Sequence, residues 1–336
     1  MKKIFLLSIL MAFTSIQGWS CNKVEQEEKV VVAYVTSWSN IMPDPTHITH
    51  INYAFGHVND SFNGVRIDNE ERLKQIVALK GKRPQLQVML SIGGWGSGRF
   101  SEMAAEETNR KLFALDCQRV VDEFGLDGID MDWEYPTSKA GGISASPEDT
   151  QNFTSVLIAI RDAIGNNKLL TFASVSTAEY VDFKAIEPYV DFVNIMAYDM
   201  SMPPYHHSPL FRSEFASHIT AEESVNLHLQ GGVPANKLVL GMPFYGKSDR
   251  KVVGPTDFKD LEIQTTFQVK WDDIAKVPYL INDEGEFICT YENQESIAIK
   301  CRFIKEQGLL GGMYWEYSGD NEAGALRQTV FNELNK

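Results

Sequence analysis

Residues 127–136 read Asp127-Gly-Ile-Asp-Met-Asp-Trp-Glu-Tyr-Pro136, and this decapeptide decides the fold. Asp130, Asp132 and Glu134 alternate with Ile129, Met131 and Trp133. On an extended strand, alternation with period two sends the three carboxylates to one face and the apolar residues to the other. Same-face neighbours then lie about 6.6 Å apart. Asp127 falls out of phase and belongs to the strand entry. At an effective dielectric near 20, two charges at that spacing repel by roughly 2.5 kcal/mol, nearly two pKa units. At least one carboxyl must therefore hold or share a proton near neutrality, and Glu134, at the row's end between Trp133 and Tyr135, is the natural holder. A carboxyl protonated there can give its proton to a leaving-group oxygen. A divalent-metal site and a buried structural acid cluster are the competing readings of the row. A hard cation asks for further oxygen ligands from a flexible loop. Here the strand is stiff and closes with aromatics and Pro136, so acid–base chemistry is the preferred reading.

Outward from the decapeptide, apolar runs predict strands at Val30–Thr36, Ile48–Val58, Leu86–Trp95, Gly128–Trp133, Leu169–Ser176, Val190–Tyr198, Leu238–Tyr245 and Leu309–Trp315, each buried on both faces. Helical patterns fall between most of them, at Glu70–Lys80, Asn109–Phe124, Pro147–Ile164, Ala221–Gln230, Gln294–Gln307 and Glu322–Leu334. Eight strand–helix units over this length predict one α/β domain, a (β/α)8 barrel spanning 30–336. Residues 246–293 form one long connection with short strands expected at Ile263–Lys270, Val277–Ile281 and Glu286–Tyr291. As a loop on the active-site face, this insertion should build one wall of the substrate site.

The chain opens with Lys2 and Lys3, an apolar run from Ile4 to Phe13, and Gly18-Trp19-Ser20-Cys21. That pattern predicts an export signal at 1–20, too short to span a bilayer. A cysteine directly after a small residue predicts lipidation at Cys21, giving a membrane-anchored lipoprotein facing the periplasm or the cell surface; plain secretion is the alternative. Residues 21–29 read as a polar tether. Removing residues 1–20 takes away Lys2 and Lys3 and no acid, moving the net charge from −14 to −16. Such a balance excludes nucleic acid as a partner and suits a neutral substrate. Cys117, Cys289 and Cys301 show no metal spacing and are expected as buried free thiols, with a Cys289–Cys301 bridge the alternative. His206 and His207 lack a third ligand at metal spacing and read as loop residues. No cofactor and no metal are called for.

In a barrel, active sites gather at the carboxyl ends of the strands. There this sequence places Tyr34 and Trp38, Tyr53 and Phe55, Ser91-Ile-Gly-Gly-Trp95, Glu134, Met196-Ala-Tyr198-Asp199, Pro243-Phe-Tyr245 and Tyr314-Trp315. Flat aromatic faces interspersed with hydrogen-bonding groups suit pyranose rings.

The chain resembles family 18 glycoside hydrolases, the chitinase family, along essentially its whole length after the export signal. The decapeptide matches the Asp-x-x-Asp-x-Asp-x-Glu strand of that family. Ser91-Ile-Gly-Gly resembles its Ser-x-Gly-Gly, Met196-Ala-Tyr-Asp199 its Met-x-Tyr-Asp, and Trp315 its strand-8 tryptophan. Tyr34, His207-Ser-Pro-Leu-Phe211 and Gly241-Met-Pro-Phe-Tyr-Gly246 fall where chitinases carry similar segments. Lys247 stands where arginine is expected, and the insertion is shorter than in deep-groove chitinases.

The resemblance implies a retaining hydrolase of β-1,4-linked N-acetylglucosamine oligomers that works by substrate assistance, an exception to the two-carboxylate scheme. It implies catalytic roles for four residues. Glu134 is the acid and base, Asp132 holds the acetamido N–H, Asp130 sits behind it sharing a proton, and Tyr198 donates to the acetamido oxygen. Trp315 forms the floor under the sugar. Tyr34, Ser91, Phe55, Trp95, Tyr135, Met196, Asp199 and Tyr245 complete the expected substrate-binding set, with Ser91 and Tyr34 as partners of Asp130. The alternatives are an endo-β-N-acetylglucosaminidase acting on the chitobiose core of N-glycans, and a non-catalytic, lectin-like chitin-binding barrel.

Overall fold

A computed structural model describes residues 28–336, so the predicted signal, Cys21 and most of the tether lie outside the described residues. Eight parallel strands close on themselves: β1 (Val30–Thr36), β2 (His50–Val58), β3 (Gln87–Gly93), β4 (Gly128–Asp132), β5 (Leu169–Val175), β6 (Phe192–Met196), β7 (Leu238–Pro243) and β8 (Gly311–Trp315). Each pairs in parallel with the next, and β8 returns to β1 through the Val30–Gly311 register. This is the expected (β/α)8 barrel.

The period-two pattern sorts side chains into two cores. On β1, Val31, Ala33 and Val35 face outward into the large core beneath the helices, while Val32 and Tyr34 face the barrel interior. On β4 the outward set is Ile129 and Met131, followed by Trp133 just past the strand end. Trp133 stacks on Phe100, ring centroids 5.3 Å apart at 15°, and meets Phe153 edge-on at 5.7 Å. Burying that outer row holds the strand in register, since a one-residue slip would drive the carboxylates into the apolar layer.

The two βα units for which the sequence showed no helical pattern carry no full helix. Only the 3-10 turn Pro45–His47 separates β1 from β2, and only the four-residue helix Phe183–Ile186 lies between β5 and β6. Pro43 and Pro45 interrupt the first connection, and Ala178 and Tyr180 at positive φ followed by Pro188 confine the helix in the second. A short antiparallel strand, Val65–Ile67, pairs with the end of β2. The insertion forms a four-stranded antiparallel sheet of Lys247–Ser248, Gln268–Asp272, Val277–Ile281 and Phe287–Thr290. The strand expected at Ile263–Lys270 therefore starts five residues later, after the helical turn Phe258–Glu262. Glu28 and Lys29, placed in the tether by sequence, are fixed to the barrel: Glu28 pairs with Arg83 at 3.0 Å, and the Lys29 N–H donates to Asn335 at 2.6 Å. Cys117, Cys289 and Cys301 are buried free thiols.

Candidate active site

Two glycines let the strand ends converge. A Cβ at Gly93, whose φ is +136°, would lie 1.9 Å from the Asp132 carbonyl oxygen, and one at Gly94 would lie 2.6 Å from the Phe55 ring. The Gly94 N–H donates to that same Asp132 carbonyl at 2.9 Å. Ser91-Ile-Gly-Gly thus presses β3 against the acidic strand, and glycine is required at both positions.

Asp130 is wholly buried and accepts four hydrogen bonds. Tyr34 and Ser91 donate to Oδ2 at 2.8 Å each, Thr171 to Oδ1 at 2.6 Å and Asn194 to Oδ1 at 3.2 Å. Burial pushes its carboxyl up while the four donors pull it down. Ser91 is fully buried and serves Asp130 without lining the cleft, which corrects its expected place against substrate. Thr171 and Asn194 were not singled out from sequence. As inward-facing polar residues on buried strands they carry a period-two signal that could have found them.

Asp132, the next inward residue, lies at the barrel mouth with 4% exposure. Its carboxyl is raised well above the ordinary range, first by burial and then by the charges of Glu134 and Asp130. Its Oδ1 is buried and has no hydrogen-bond partner among the described residues. Glu134 follows just past the strand, accepts a hydrogen bond from the Tyr135 hydroxyl at 3.0 Å, and has its carboxyl pushed up to about 7, chiefly by burial. The mutual repulsion emphasised from sequence is thus second to desolvation at Asp132. The stiff strand sets the spacing, but the closed mouth removes the water that would otherwise screen and solvate the charges.

Asp132 and Glu134 open into a cleft of about 630 Å³, with Asp130 buried beneath them. Tyr34, Phe55, Trp95, Tyr135, Met196, Tyr198, Asp199, Tyr245 and Trp315 all line it beside Asp132 and Glu134, joined by Trp38, Ala173 and Lys247. Trp315 stacks on Phe55 at 5.6 Å and 21°, with Trp38 6.5 Å from Trp315. Trp95 meets Tyr135 at 6.4 Å. The indoles of Trp38 and Trp95 are 64% and 65% exposed, so each offers a free ring face. Gly241 makes room for the Tyr198 ring, since a Cβ there would lie 2.9 Å from it.

Asp199 supplies a third carboxylate to the cleft. Burial raises it, but His207, the Tyr245 hydroxyl at 2.6 Å and the Lys247 ammonium at 3.0 Å hold it down to about 2. Lys247, where arginine was expected, therefore pairs with Asp199 through one ammonium rather than a fork. Lys247 is also the insertion's one contribution to this cleft, so the expected wall is narrow. An adjoining groove beside Trp38 and Trp315 adds Thr256 and Asp257. His206 is a buried strut between loop and insertion, with its ring nitrogens 3.3 Å from Thr290 and 3.2 Å from Asp272.

A barrel mouth with an acidic row rising from β4, a glutamate at its end whose carboxyl burial pushes up to about 7, and a ring of indoles is the arrangement expected of a sugar-cleaving site. The family model described as Glycosyl hydrolases family 18 matches residues 30–320. The chain belongs to glycosyl hydrolase family 18. Chitinase A1 of Niallia circulans is 30% identical, the match covering 98% of this chain and 61% of that protein, so this chain spans a little under two thirds of its relative. Chitotriosidase-1 of Mus musculus is 30% identical, covering 91% of this chain and 78% of that protein. Among solved structures, a family 18 N-acetylglucosaminidase from Paenibacillus barengoltzii superposes with a TM-score of 0.83 at 33% identity, covering 91% of this chain and all of that one. As a member of family 18, the protein is a glycosidase.

Proposed function

We propose that this family 18 glycosidase cleaves β-1,4-linked N-acetylglucosamine oligomers with retention, through an oxazoline-type intermediate formed by the substrate's own acetamido group. The observation that carries this reading is Asp132. Its buried Oδ1 lacks a donor among the described residues, and Glu134 lies two residues further along the same row. A buried acceptor left unpaired costs about 1–3 kcal/mol. An acetamido N–H offered at the barrel mouth satisfies it, holds the carbonyl oxygen over the anomeric carbon and offsets the positive charge that develops on the amide. Glu134 gives its proton to the glycosidic oxygen and then takes one from the incoming water. Tyr198 donates to the acetamido oxygen. Asp130, held by its four donors, stands behind Asp132 and keeps that carboxyl's pKa high through its charge, and Trp315 is the floor.

Asp199 favours a second reading, in which an ionised carboxylate in the same cleft attacks the sugar directly. Its oxygen is engaged by Tyr245 and Lys247, which argues for the substrate-assisted route. Offering chitin oligomers and a high-mannose glycopeptide in parallel and identifying the products tests the substrate. Release of short N-acetylglucosamine oligomers from the first alone is expected. Cleavage of the glycopeptide core alone would assign the chain to the endo-β-N-acetylglucosaminidases, and binding without cleavage to the lectin-like barrels.

We also propose that the chain is exported and lipid-anchored through Cys21, on the charged, apolar and small-residue pattern of residues 1–21. Mass spectrometry of the mature N-terminus in wild type and Cys21→Ala decides it: a diacylglyceryl adduct on Cys21, lost in the variant, is expected, and an unmodified soluble product refutes it.

A further inference from the structure

Behind the cleft, Lys300 and Glu292 form an ion pair with both side chains fully buried, and nothing in the proposed chemistry uses either one. Lys300 sits on the helix Gln294–Glu306, and Glu292 ends the insertion. The ammonium of Lys300 also donates to the Ser208 carbonyl at 2.6 Å and to Ser208 Oγ at 2.7 Å, so all three of its protons have acceptors. Because Ser208 Oγ accepts from Lys300, its own proton is free to donate, and it does so to the Ala197 carbonyl at 2.7 Å. Ala197 directly precedes Tyr198 and Asp199. The run is therefore directional: Lys300 to Ser208 to the backbone that carries both cleft residues.

That backbone needs holding. β6 ends at Met196, the Ala197 N–H turns back onto the Ile195 carbonyl at 2.8 Å, and Asp199 adopts a left-handed φ of +57° without being glycine. A left-handed non-glycine residue is strained and persists only where its surroundings over-determine it. Here the Met200 N–H to His207 carbonyl bond at 3.0 Å closes the loop from one side, and the Ser208 hydroxyl pins it from the other.

We infer that Ser208, fixed by the buried Lys300–Glu292 pair, is a positioning residue that sets the place of the Tyr198 hydroxyl over the reacting sugar. The inference rests on the assignment of Tyr198 to the acetamido group, and the experiment separates the two. Ser208→Ala removes the link to Ala197 and one of the three acceptors of Lys300, and keeps the contacts of Lys300 with Glu292 and the Ser208 carbonyl. On a chitooligosaccharide substrate its kcat should fall about 10- to 100-fold, the range that misplacement of a reacting group produces, with KM within about twofold of the parent. Ser208→Thr, which keeps the hydroxyl, should recover most of the loss. The double variant Ser208→Ala, Tyr198→Phe should be no slower than Tyr198→Phe alone, because the serine acts through the tyrosine. A folded Ser208→Ala with parental kcat overturns the inference, as does a double variant whose losses multiply. Parental kcat in Tyr198→Phe alone would instead overturn the assignment of Tyr198. Should Ser208→Ala fail to fold, Lys300→Arg, which keeps a charge opposite Glu292 while moving the donors, carries the same expectations: a kcat loss with KM held, and no further loss on top of Tyr198→Phe.

Discussion

Replacing Tyr135 by phenylalanine keeps the ring in the cleft and removes one hydrogen bond, that from its hydroxyl to Glu134 at 3.0 Å. That bond favours the ionised carboxylate, so it opposes the burial that pushes Glu134 up to about 7. A hydrogen bond to a charged group contributes about 1.5–3 kcal/mol. Glu134 keeps some contact with solvent, so the lower end applies, and at 1.36 kcal/mol per unit the loss raises its pKa by about one unit. The general acid is then retained to higher pH. At pH 8 the parent should keep about one-tenth of its plateau kcat/KM and the variant about half, roughly a fivefold difference in relative activity. The assay is kcat/KM against pH on a chromogenic chitobioside, each enzyme normalised to its own plateau. The limb measured belongs to Asp132 and Glu134 together, since the charge of one raises the pKa of the other. A limb that stays in place or moves to lower pH would refute the role given to the Tyr135 hydroxyl and to Glu134 as the acid.

Glu134→Gln should lower turnover by at least about 10²–10⁴-fold, the contribution of a positioned acid, while oligosaccharide binding measured by calorimetry stays close to the parent's. The same substitution should stabilise the fold in alkali. A buried acid with a raised pKa binds its proton more tightly folded than unfolded, so Glu134 costs stability progressively as pH climbs from 4.5 through about 7, in total about 3 kcal/mol. The melting-temperature advantage of Glu134→Gln over the parent should therefore widen between pH 5 and pH 8; a constant gap would contradict the burial argument. Asp132→Asn should reduce kcat by at least about 10²-fold, since Oδ1 no longer offers a charged acceptor to the acetamido N–H. Trp38→Ala should weaken oligomer binding to the Glu134→Gln variant by about 1 kcal/mol, roughly fivefold, by removing an exposed stacking face.

The barrel was legible because its strands are buried on both faces and read as apolar runs; all eight lie within the predicted runs. The acid row was legible because alternation survives on β4, with Ile129, Met131 and Trp133 outward and Asp130 and Asp132 inward. Other features depended on three-dimensional neighbours that spacing does not encode. Ser91 was expected both as a partner of Asp130 and against the substrate; the first contact is present, but its side chain is buried beneath the mouth and does not reach the cleft. Repulsion along the row was computable from strand geometry, whereas the desolvation that exceeds it at Asp132 depends on how eight strand ends close around the mouth. Asp199 was read as lining; its depressed pKa comes from Tyr245, Lys247 and His207, spread over the next 48 residues and joined only by the fold. Lys300, isolated on an amphipathic helix, carried no sequence signal of its burial.

The most direct measurement compares initial rates on two oligomers that differ at one position, one carrying the acetamido group on the sugar at the scissile bond and one carrying a hydroxyl there. Hydrolysis of the first and none detectable of the second is predicted, because the attacking atom belongs to that acetamido group. Comparable rates on both would place the nucleophile in the protein, with Asp199 the carboxylate to suspect.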